Sequence, residues 1–171
     1  MRPVEPHHDM RGHVVEPSFA FATRADLPAI AALLSECALP ADDVQAHVDH
    51  FVVARYRERL VGVVGLELAD RAALLRSLAV EPAWRNRGVA RALYARILAH
   101  ARLLGIEKLY LLTTTARAFF AKLGFATCER SEVPSAIAAT AQFRSLCPST
   151  AVCMVKDVSG EARYFPSDVL R

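Results

Sequence analysis

The junction between a strand and a helix at residues 75–98, LRSLAVEPAWRNRGVARALYARIL, constrains the fold of this chain more than any other stretch. An apolar run typical of a buried strand stops at Pro82, and a helical spacing of apolar residues begins after Gly88. Three arginines surround that glycine: Arg85, Arg87 and Arg91. Because like charges repel one another, this cluster favours a helix start that binds an anion.

Hydrophobic periodicity predicts strands and helices in mixed order along the rest of the chain. The predicted strands lie at 19–25, 51–57, 60–70, 72–81, 108–115, 125–130 and 151–158. The predicted helices lie at 27–40, 41–50, 86–105, 117–124 and 134–143. Polar turns near residues 57–59 and 70–71 join neighbouring strands into hairpins. The pattern predicts an α/β domain whose sheet contains hairpins.

Length and composition favour one globular domain, since the 171 residues are 53% hydrophobic and 23% charged. A formal net charge of +3 is too small to predict a nucleic-acid binder. No apolar run reaches the roughly 18 residues that a membrane span needs. We therefore expect neither nucleic acid nor a membrane among the partners.

The two ends of the chain differ in composition from the segment between them. Residues 1–17 are rich in proline and histidine and lack the apolar core of a secretory signal, so a disordered tail is predicted. Residues 159–171 are predicted to form a C-terminal tail, which leaves 18–158 as the domain. The spacing of the histidines matches no metal site. Four cysteines without an export signal indicate reduced thiols and a cytoplasmic protein.

The segment RNRGVA, residues 85–90, has the chemistry of a phosphate-binding loop. The N-terminus of a helix leaves backbone N–H groups unpaired and carries a partial positive charge. A glycine there lets a phosphate approach the backbone, and arginines add charge-assisted hydrogen bonds. The segment matches neither the P-loop nor the glycine pattern of dinucleotide-binding folds. The alternative is an exposed basic helix start that contains a glycine by chance.

The stretch LRSLAVEPAWRNRGVARAL resembles the acetyl-CoA motif of the GCN5-related N-acetyltransferases (GNAT). That phosphate loop has Gln or Arg, then Gly three positions later, then Gly or Ala after one more residue; here these are Arg85, Gly88 and Ala90. The stretch TTTARAFFAKLGF resembles the family's second motif, and the order of elements from 19 to about 155 also matches. The resemblance implies a mixed, mostly antiparallel sheet of about seven strands with splayed central strands, flanked by helices on both faces.

The resemblance also implies acetyl-CoA as co-substrate. In the family, the strand before the phosphate loop diverges from its neighbour and offers backbone groups to the pantetheine arm. The Val80 N–H is expected to contact the arm, and the Leu78 N–H the thioester carbonyl. The residues assigned to the cofactor in this way are Leu78, Ala79, Val80, Arg85, Asn86, Arg87, Gly88, Val89, Ala90, Arg91, Thr113, Phe119 and Lys122.

The reaction implied by the resemblance is direct attack of an amine on the thioester in a ternary complex. The attack builds an oxyanion, which the Leu78 N–H would stabilise, and a base must take the amine proton. Many relatives carry a glutamate at the position of Leu74, which cannot act as a base. If residues 70–71 form the hairpin turn, Glu67 lies opposite Leu74 and projects to the same face. We therefore expect Glu67 to be the base, acting through water; the alternatives are a solvent-facing glutamate and a salt bridge to Arg76.

The general acid of many relatives is also replaced. Phe120 stands where they carry the tyrosine that protonates the leaving thiolate. Because a thiolate leaves readily near neutral pH, no acid is required, and water, Tyr110 or Cys128 are the alternatives. Thr113 replaces a frequent asparagine. Its hydroxyl and that of Thr114 either bond to a ligand or merely suit a strand.

The acceptor is predicted from Arg76, which lies inside an apolar strand and needs an anionic partner. That partner is either Glu67 or a substrate carboxylate held by the guanidinium fork. The segment LLRSLAV resembles the corresponding strand of amino-acid acetyltransferases, which implies an amino-acid-like acceptor. Thr114 and Arg144 are further candidates for substrate binding.

Residues 131–157 resemble the branch of the family linked to arsenic resistance. A neighbouring branch acetylates phosphinothricin and its arsenic analogue, which implies the α-amine of such a compound as acceptor. Three alternatives stay open: acetylation of protein or polyamine amines, a non-catalytic acyl-CoA-binding sensor, and a metalloid-binding protein that uses Cys147 and Cys153. Family members are often dimers, and a homodimer is compatible with this sequence.

Overall fold

The computed structural model of the chain describes residues 15–160. Its strands are β1 (Ser18–Phe21), β2 (Phe51–Tyr56), β3 (Arg59–Ala69), β4 (Ala72–Val80), β5 (Lys108–Thr113), β6 (Ala126–Thr127) and β7 (Val152–Asp157). Its helices are α1 (Leu27–Glu36), α2 (Val44–His47), α3 (Val89–Leu103), α4 (Arg117–Lys122) and α5 (Ser135–Ala138). Short 3-10 turns lie at Arg24–Asp26, Val48–His50, Pro82–Trp84 and Arg130–Glu132, and a π-helical turn lies at Gln142–Leu146.

The seven strands form one sheet in the order β1-β2-β3-β4-β5-β7-β6. Pairing is antiparallel between β1 and β2, β2 and β3, β5 and β7, and β6 and β7. Strands β4 and β5 are parallel, and the crossover that a parallel pair needs is supplied by α3, which lies between them in the chain. A mixed, mostly antiparallel sheet of seven strands with flanking helices confirms the predicted fold class.

The parallel pairing of β4 with β5 is short. It joins residues 72–74 to residues 108–110, the first three residues of each strand. β4 continues to Val80, beyond this paired region. A strand that leaves its ladder must satisfy its later backbone groups elsewhere. The splayed central strands that the resemblance implied stay a prediction.

The described chain divides into two compact units, each with its own core. The first unit contains residues 15–65 and Ser77–Arg96. In it, α1 contributes the fully buried Ile30 and Leu34 to a cluster with Phe51 of β2. Gly65 is the β3 partner of Phe51, and a Cβ at that glycine would overlap the phenyl ring. The ring therefore depends on a glycine in the neighbouring strand.

The second unit contains Leu66–Arg76 and residues 97–160. Its core gathers Leu74 of β4, Tyr110 of β5 and Ile137 of α5. Ile137 is completely buried, so the four-residue helix α5 is anchored by the side chain at its centre. Such burial contributes about 1.5–3 kcal/mol for a large aliphatic side chain.

Two predicted boundaries shift because local hydrogen bonds and turns interrupt the regular element. β1 ends at Phe21 rather than at residue 25, since the Thr23 N–H donates to the Asp26 carboxylate at 2.8 Å and a 3-10 turn follows. α3 begins at Val89 rather than at residue 86. Asn86 and Gly88 have φ angles of 61° and 79°, which a right-handed helix does not contain.

The predicted helix at 134–143 is divided, and the predicted strand at 125–130 is shorter than expected. α5 ends at Ala138, and the π-helical turn begins at Gln142. The Thr140 hydroxyl donates to the Ile137 carbonyl at 2.7 Å, and local bonds of this kind compete with the α-helical ladder. β6 stops at Thr127 because the chain enters a 3-10 turn at Arg130.

The N-terminal tail predicted at 1–17 and the C-terminal tail predicted at 159–171 lie largely outside the described residues. The single domain expected at 18–158 stays a prediction. Within residues 15–160, no helix is both long enough and apolar enough to cross a membrane.

Candidate active site

The connection between β4 and α3 lies in the first unit and consists of a 3-10 turn followed by four turn residues. The 3-10 turn Pro82–Trp84 ends at a buried indole, which contacts the Tyr56 ring with centroids 5.0 Å apart. This aromatic contact anchors the connection on β2. The following residues, 85–88, are all exposed.

Asn86 and Gly88 determine the backbone path of residues 85–88, because both have left-handed φ angles. Backbone of this kind forms concave arrangements of N–H groups that bind anions. A Cβ added to Gly88 would meet no atom within 4 Å, so the space beside the glycine is open. α3 follows at once, with a first hydrogen bond of 3.0 Å from the Ala92 N–H to the Gly88 carbonyl. The predicted phosphate-binding loop therefore has the backbone geometry of an anion site.

Two of the arginines around this loop also have partners within the protein. The Arg85 Nε donates to the Val80 carbonyl at 3.1 Å, and its Nη2 lies 3.6 Å from the Cys37 sulfur. The Arg87 guanidinium lies over the Trp84 ring, 5.0 Å from its centroid. Arg85 thus braces the loop against the end of β4, a role that the sequence pattern did not predict. Arg85, Arg87 and Arg91 are exposed to solvent.

The end of β4 contains the three residues assigned to the pantetheine arm: Leu78, Ala79 and Val80. Ser77, directly before them, has a φ angle of 58° inside the strand. A left-handed residue within a strand bends it and re-aims the backbone that follows. The sequence pattern did not reveal this irregularity, because serine lacks the left-handed preference of glycine or asparagine.

In the second unit, Glu67 of β3 and Arg76 of β4 form a buried ion pair. The Arg76 Nη1 donates to the Glu67 Oε2 at 3.2 Å, and the side chains are 1% and 11% exposed, respectively. The hairpin turn falls at residues 70–71, as the sequence predicted. Of the two partners considered for Arg76, the structure supplies Glu67.

Leu74 and Phe120 occupy the positions at which the resemblance led us to expect a glutamate and a tyrosine, and both are packing residues here. Leu74 is 1% exposed, in the cluster with Tyr110 and Ile137. Phe120 is buried and contacts Phe119 and Phe125 edge-on, with centroids 5.2 and 5.6 Å apart. Neither position offers a group that can exchange a proton.

The residues assigned to the cofactor in the second motif lie at the end of β5 and in α4. The Thr113 hydroxyl accepts a hydrogen bond of 3.0 Å from the Ala116 N–H, which ties the start of α4 to the end of β5. This bond supports the structural interpretation of Thr113. Thr114 and Lys122 are exposed, and Phe119 is half-buried. Their roles toward a ligand stay predictions.

Arg144 is exposed on the π-helical turn Gln142–Leu146. Gln142, on the same turn, is buried; its Oε1 accepts a hydrogen bond from the Cys147 thiol at 2.9 Å. Its Nε2 has no hydrogen-bond partner among the described residues, and such a donor costs about 1–3 kcal/mol. π-helical turns are frequent at functional sites. No sequence pattern could have identified Gln142, because its burial depends on how the turn packs.

The two cysteines of the metalloid alternative have different partners. The Cys147 thiol bonds to Gln142, whereas the Cys153 sulfur lies 3.1 Å from the Cys128 sulfur. Cys37, Cys128, Cys147 and Cys153 are all free thiols in the structure. The structure gives no support to a site formed by Cys147 with Cys153.

Comparison with known proteins finds a family model that matches the middle of the chain. Residues 47–127 match the family model described as an acetyltransferase (GNAT) domain. The amino-acid acetyltransferase of Neisseria meningitidis (serogroup A) is 30% identical to the chain over 122 residues, which cover 66% of this chain and 28% of that protein. The chain thus spans less than a third of the length of this relative.

Solved structures with the same fold include two that bind coenzyme A. The N-acetylglutamate synthase from Neisseria gonorrhoeae, complexed with coenzyme A and N-acetyl-glutamate, superposes with a TM-score of 0.71 at 26% identity. The superposition covers 83% of this chain and 35% of the synthase chain. Rv2747 from Mycobacterium tuberculosis, in complex with CoA and NLQ, superposes with a TM-score of 0.70 at 24% identity. The superposition covers 82% of this chain and 99% of the Rv2747 chain. The chain therefore has the GNAT fold, and its residues 47–127 are similar to a GNAT acetyltransferase domain.

Proposed function

We propose that this chain is an acyl-CoA-dependent N-acetyltransferase that moves the acetyl group of acetyl-CoA to the amine of a small amino-acid-like acceptor. The observation that carries the proposal is the loop at residues 85–88, with two left-handed residues, open space beside Gly88 and exposed arginines at the start of α3. Such a loop suits a pyrophosphate. Similarity to CoA-bound GNAT structures supports acetyl-CoA as the co-substrate.

The cofactor is held by three groups of residues. The backbone and arginines of residues 85–91 bind the pyrophosphate, and the backbone of residues 78–80 binds the pantetheine arm. The irregularity at Ser77 supports the second assignment, because it re-aims the backbone directly before Leu78. Thr113, Phe119 and Lys122 complete the proposed set.

The chemistry is nucleophilic attack by a neutral amine on the thioester carbonyl. The Leu78 N–H stabilises the oxyanion that develops, a contribution that a fixed donor makes without reorganisation. Glu67 takes the amine proton through water. Its burial with Arg76 holds the carboxylate in one orientation, which supports its role as a positioned base.

The leaving thiolate needs no dedicated acid in this proposal. The helix α4, which contains Phe120, has no side chain with a hydroxyl group that could take the place of the tyrosine. A thiolate is also a good leaving group near neutral pH. Burial raises the pKa of Tyr110 above its ordinary value, and charge on Cys128 and Cys153 raises it further, so Tyr110 stays a protonated phenol. Water protonates the thiolate after it leaves.

The proposed acceptor carries an anionic group beside its amine. The planar guanidinium fork of Arg76 is of the kind that binds a carboxylate or a related oxyanion, and we propose that it holds this group. Thr114 and Arg144, both exposed, are proposed to contact the acceptor together with Arg76 and Glu67. The similarity to N-acetylglutamate synthase supports an amino acid as the acceptor class.

A finer proposal names phosphinothricin or its arsenic analogue as the acceptor, with a role in arsenic resistance. It rests on the resemblance of residues 131–157 stated above. A second oxyanion on the acceptor would suit the exposed guanidinium of Arg144. A cytoplasmic location and a homodimer belong to the same proposal, and light scattering of the purified chain tests the dimer.

The experiment is a thiol-release assay with acetyl-CoA and a panel of amines. The panel contains phosphinothricin, its arsenic analogue, the common amino acids, polyamines and a lysine peptide. CoA release with one amino-acid-like acceptor supports the proposal and identifies the oxyanion that Arg76 holds. Release only with polyamines or the peptide contradicts the acceptor class.

Calorimetry with acetyl-CoA, without an acceptor, separates the enzyme from a sensor. If acetyl-CoA binds but no amine causes CoA release, the non-catalytic sensor is favoured. The apolar Leu74 and Phe120, at the positions of the usual base and acid, would then explain the lack of turnover. Absence of binding would contradict the proposed cofactor site itself.

A further inference from the structure

Two thiols of the second unit meet where β6 pairs with β7. Cys153 lies in β7, and Cys128 directly follows β6. The register pairs Thr127 with Met154, and its next step places Cys128 opposite Cys153. The Cys128 N–H donates to the Cys153 carbonyl at 2.9 Å, and the two sulfurs are 3.1 Å apart. The contact is therefore built by strand pairing and not by chance proximity of surface side chains.

This geometry suits a covalent bond between the sulfurs. A disulfide has an S–S length of about 2.05 Å and tolerates Cα atoms about 4.4–6.8 Å apart. Hydrogen-bonded partners on antiparallel strands have Cα atoms about 5.5 Å apart, within that range. The sulfurs would need to approach each other by only about 1 Å.

The two thiols differ in their access to solvent. Cys128 is half-buried, whereas Cys153 is 3% exposed, so an oxidant in solution meets Cys128 first. Burial, the hydrogen bond with Cys128 and the charge of Cys128 raise the pKa of Cys153 to about 12, although Arg130 opposes them. Cys153 therefore keeps its proton at neutral pH and can donate it to the Cys128 sulfur.

We propose that Cys128 and Cys153 form an oxidisable dithiol, which a peroxide converts into an intramolecular disulfide. Hydrogen peroxide first oxidises Cys128 to a sulfenic acid and is itself reduced to water. The Cys153 sulfur then attacks the Cys128 sulfur; the S–S bond forms, the S–O bond breaks, and a second water leaves with the Cys153 proton. The two electrons lost by the thiols reduce the peroxide.

The disulfide would close the segment 129–152, which contains α5, the π-helical turn and Arg144. Arg130 already joins both ends of this segment, because its Nη2 donates to the carbonyls of Pro148 and Ala151 at 2.8 and 3.0 Å. Oxidation would thus add a covalent, reducible bond to a closure that polar contacts maintain in the reduced protein. This inference does not depend on the proposed acetyltransferase activity.

The test oxidises the full chain with hydrogen peroxide, blocks the remaining thiols and analyses tryptic peptides by mass spectrometry. We expect the thiol count to fall by two from the four cysteines of the sequence. A peptide containing Cys128 should be joined to residues 145–156, with the loss of two hydrogen atoms. Since residues 145–156 include Cys147 as well as Cys153, the Cys147→Ser variant identifies the partner. The cross-link should persist in that variant and disappear in Cys128→Ser.

Thermal unfolding gives a second measurement that does not require a variant. A bond closing a loop of roughly 25 residues should raise Tm by about 5–10 °C, and dithiothreitol should reverse the rise. The Cys37→Ser variant, which is altered in the first unit, should show the same rise in Tm on oxidation as the unmodified chain. An unchanged thiol count, equal thiol loss in Cys128→Ser, or oxidation to sulfinic acid without a cross-link would overturn the proposal.

Discussion

Glu67 and Arg76 are tied to each other at the scale of single residues. Taking two charges out of water is costly, and their attraction repays that cost only while both are present. The Arg76 side chain is 1% exposed, so it depends strongly on the carboxylate beside it. The proposed base is therefore also a structural partner. Experiments on Glu67 must separate a loss of chemistry from a loss of stability.

We expect Glu67→Gln to lower kcat by about 10²–10⁴-fold, as loss of a general base does, with acetyl-CoA binding retained. The free energy of unfolding should fall by about 3–5 kcal/mol, because the amide no longer neutralises the buried Arg76. Steady-state kinetics over a range of pH and urea unfolding measure the two effects.

Arg76→Met separates these roles. It should raise KM mainly for carboxylate-bearing acceptors, and the double variant with Glu67→Gln should recover part of the lost stability but none of the lost kcat. If kcat recovers together with stability, Glu67 is a structural residue only. Equal loss for all amines would make Arg76 structural as well.

Asp26 offers a test of pH-dependent stability at the same scale. Burial raises the pKa of its carboxyl, but hydrogen bonds from the Thr23 N–H and Arg55 and the charge of Arg55 lower it more, so the pKa lies below its ordinary value. A depressed folded-state pKa contributes stability above the unfolded-state pKa. That contribution is lost as pH falls through the folded-state pKa.

We expect Asp26→Asn to lower the free energy of unfolding by about 1–3 kcal/mol near neutral pH, because charge-assisted hydrogen bonds to Arg55 are lost. The difference from the unmodified chain should shrink as the solution is acidified, since the native carboxyl then becomes protonated too. Urea unfolding at several pH values measures this. The exposed Asp49→Asn is the control and should change little; a pH-independent difference for Asp26→Asn would contradict the prediction.

At the scale of elements, α3 carries a left-handed glycine beyond each end. Gly88 precedes the helix with a φ angle of 79°, and Gly105 follows it with 76°. A Cβ at either glycine would meet no atom within 4 Å, so only backbone strain opposes alanine there. At the C-terminal end, the Ile106 N–H donates to the Ala101 carbonyl at 3.0 Å, which closes the helix. The two glycines are a matched pair with different proposed roles.

We expect Gly88→Ala and Gly105→Ala each to lower the free energy of unfolding by about 1–2 kcal/mol, the cost of a left-handed alanine. Only Gly88→Ala should weaken acetyl-CoA binding, because its methyl group would occupy the space proposed for the pyrophosphate. Calorimetry of both variants measures this difference. Equal affinities would show that the loop is an ordinary helix start.

Element boundaries also show where local patterns were insufficient. The 3.6-residue spacing of Leu93, Ile97 and Ala101 predicted α3, and all three are completely buried. The same spacing predicted a helix at 134–143, where the Thr140 hydroxyl bonds to the backbone and the helix is divided. Periodicity reports which face is buried. It does not report a side chain that competes for a backbone hydrogen bond.

At the scale of the whole molecule, a bound ligand should change stability by mass action. We expect acetyl-CoA at about one hundred times its Kd to stabilise the fold by about 2.7 kcal/mol, which corresponds to about 5–10 °C in Tm. Thermal unfolding with and without ligand measures the shift. Acetyl-pantetheine, which lacks the pyrophosphate, should give a smaller shift at the same concentration. Equal shifts for both compounds would contradict a pyrophosphate site at residues 85–88.

The sequence by itself determined the seven-stranded α/β fold and the phosphate-loop candidate, because both depend on residues that are close together in the chain. Apolar spacing, turn residues and a glycine at a helix start act over a few positions, and the motif of residues 85–90 needs no distant partner. The turn at residues 70–71 likewise followed from local polarity. The substitutions at Leu74 and Phe120 were evident from the sequence once its resemblance to the GNAT motifs was recognised.

Only the tertiary structure decided which side chains meet across those elements. The Glu67 partner of Arg76, the closure by Arg130 and the contact of Cys128 with Cys153 join different strands or loops. A shift of one residue in strand register would have placed Glu67 or Cys153 on the opposite face of the sheet. Register depends on the packing of the whole sheet, so a partner distant in sequence was visible only once the chain was folded.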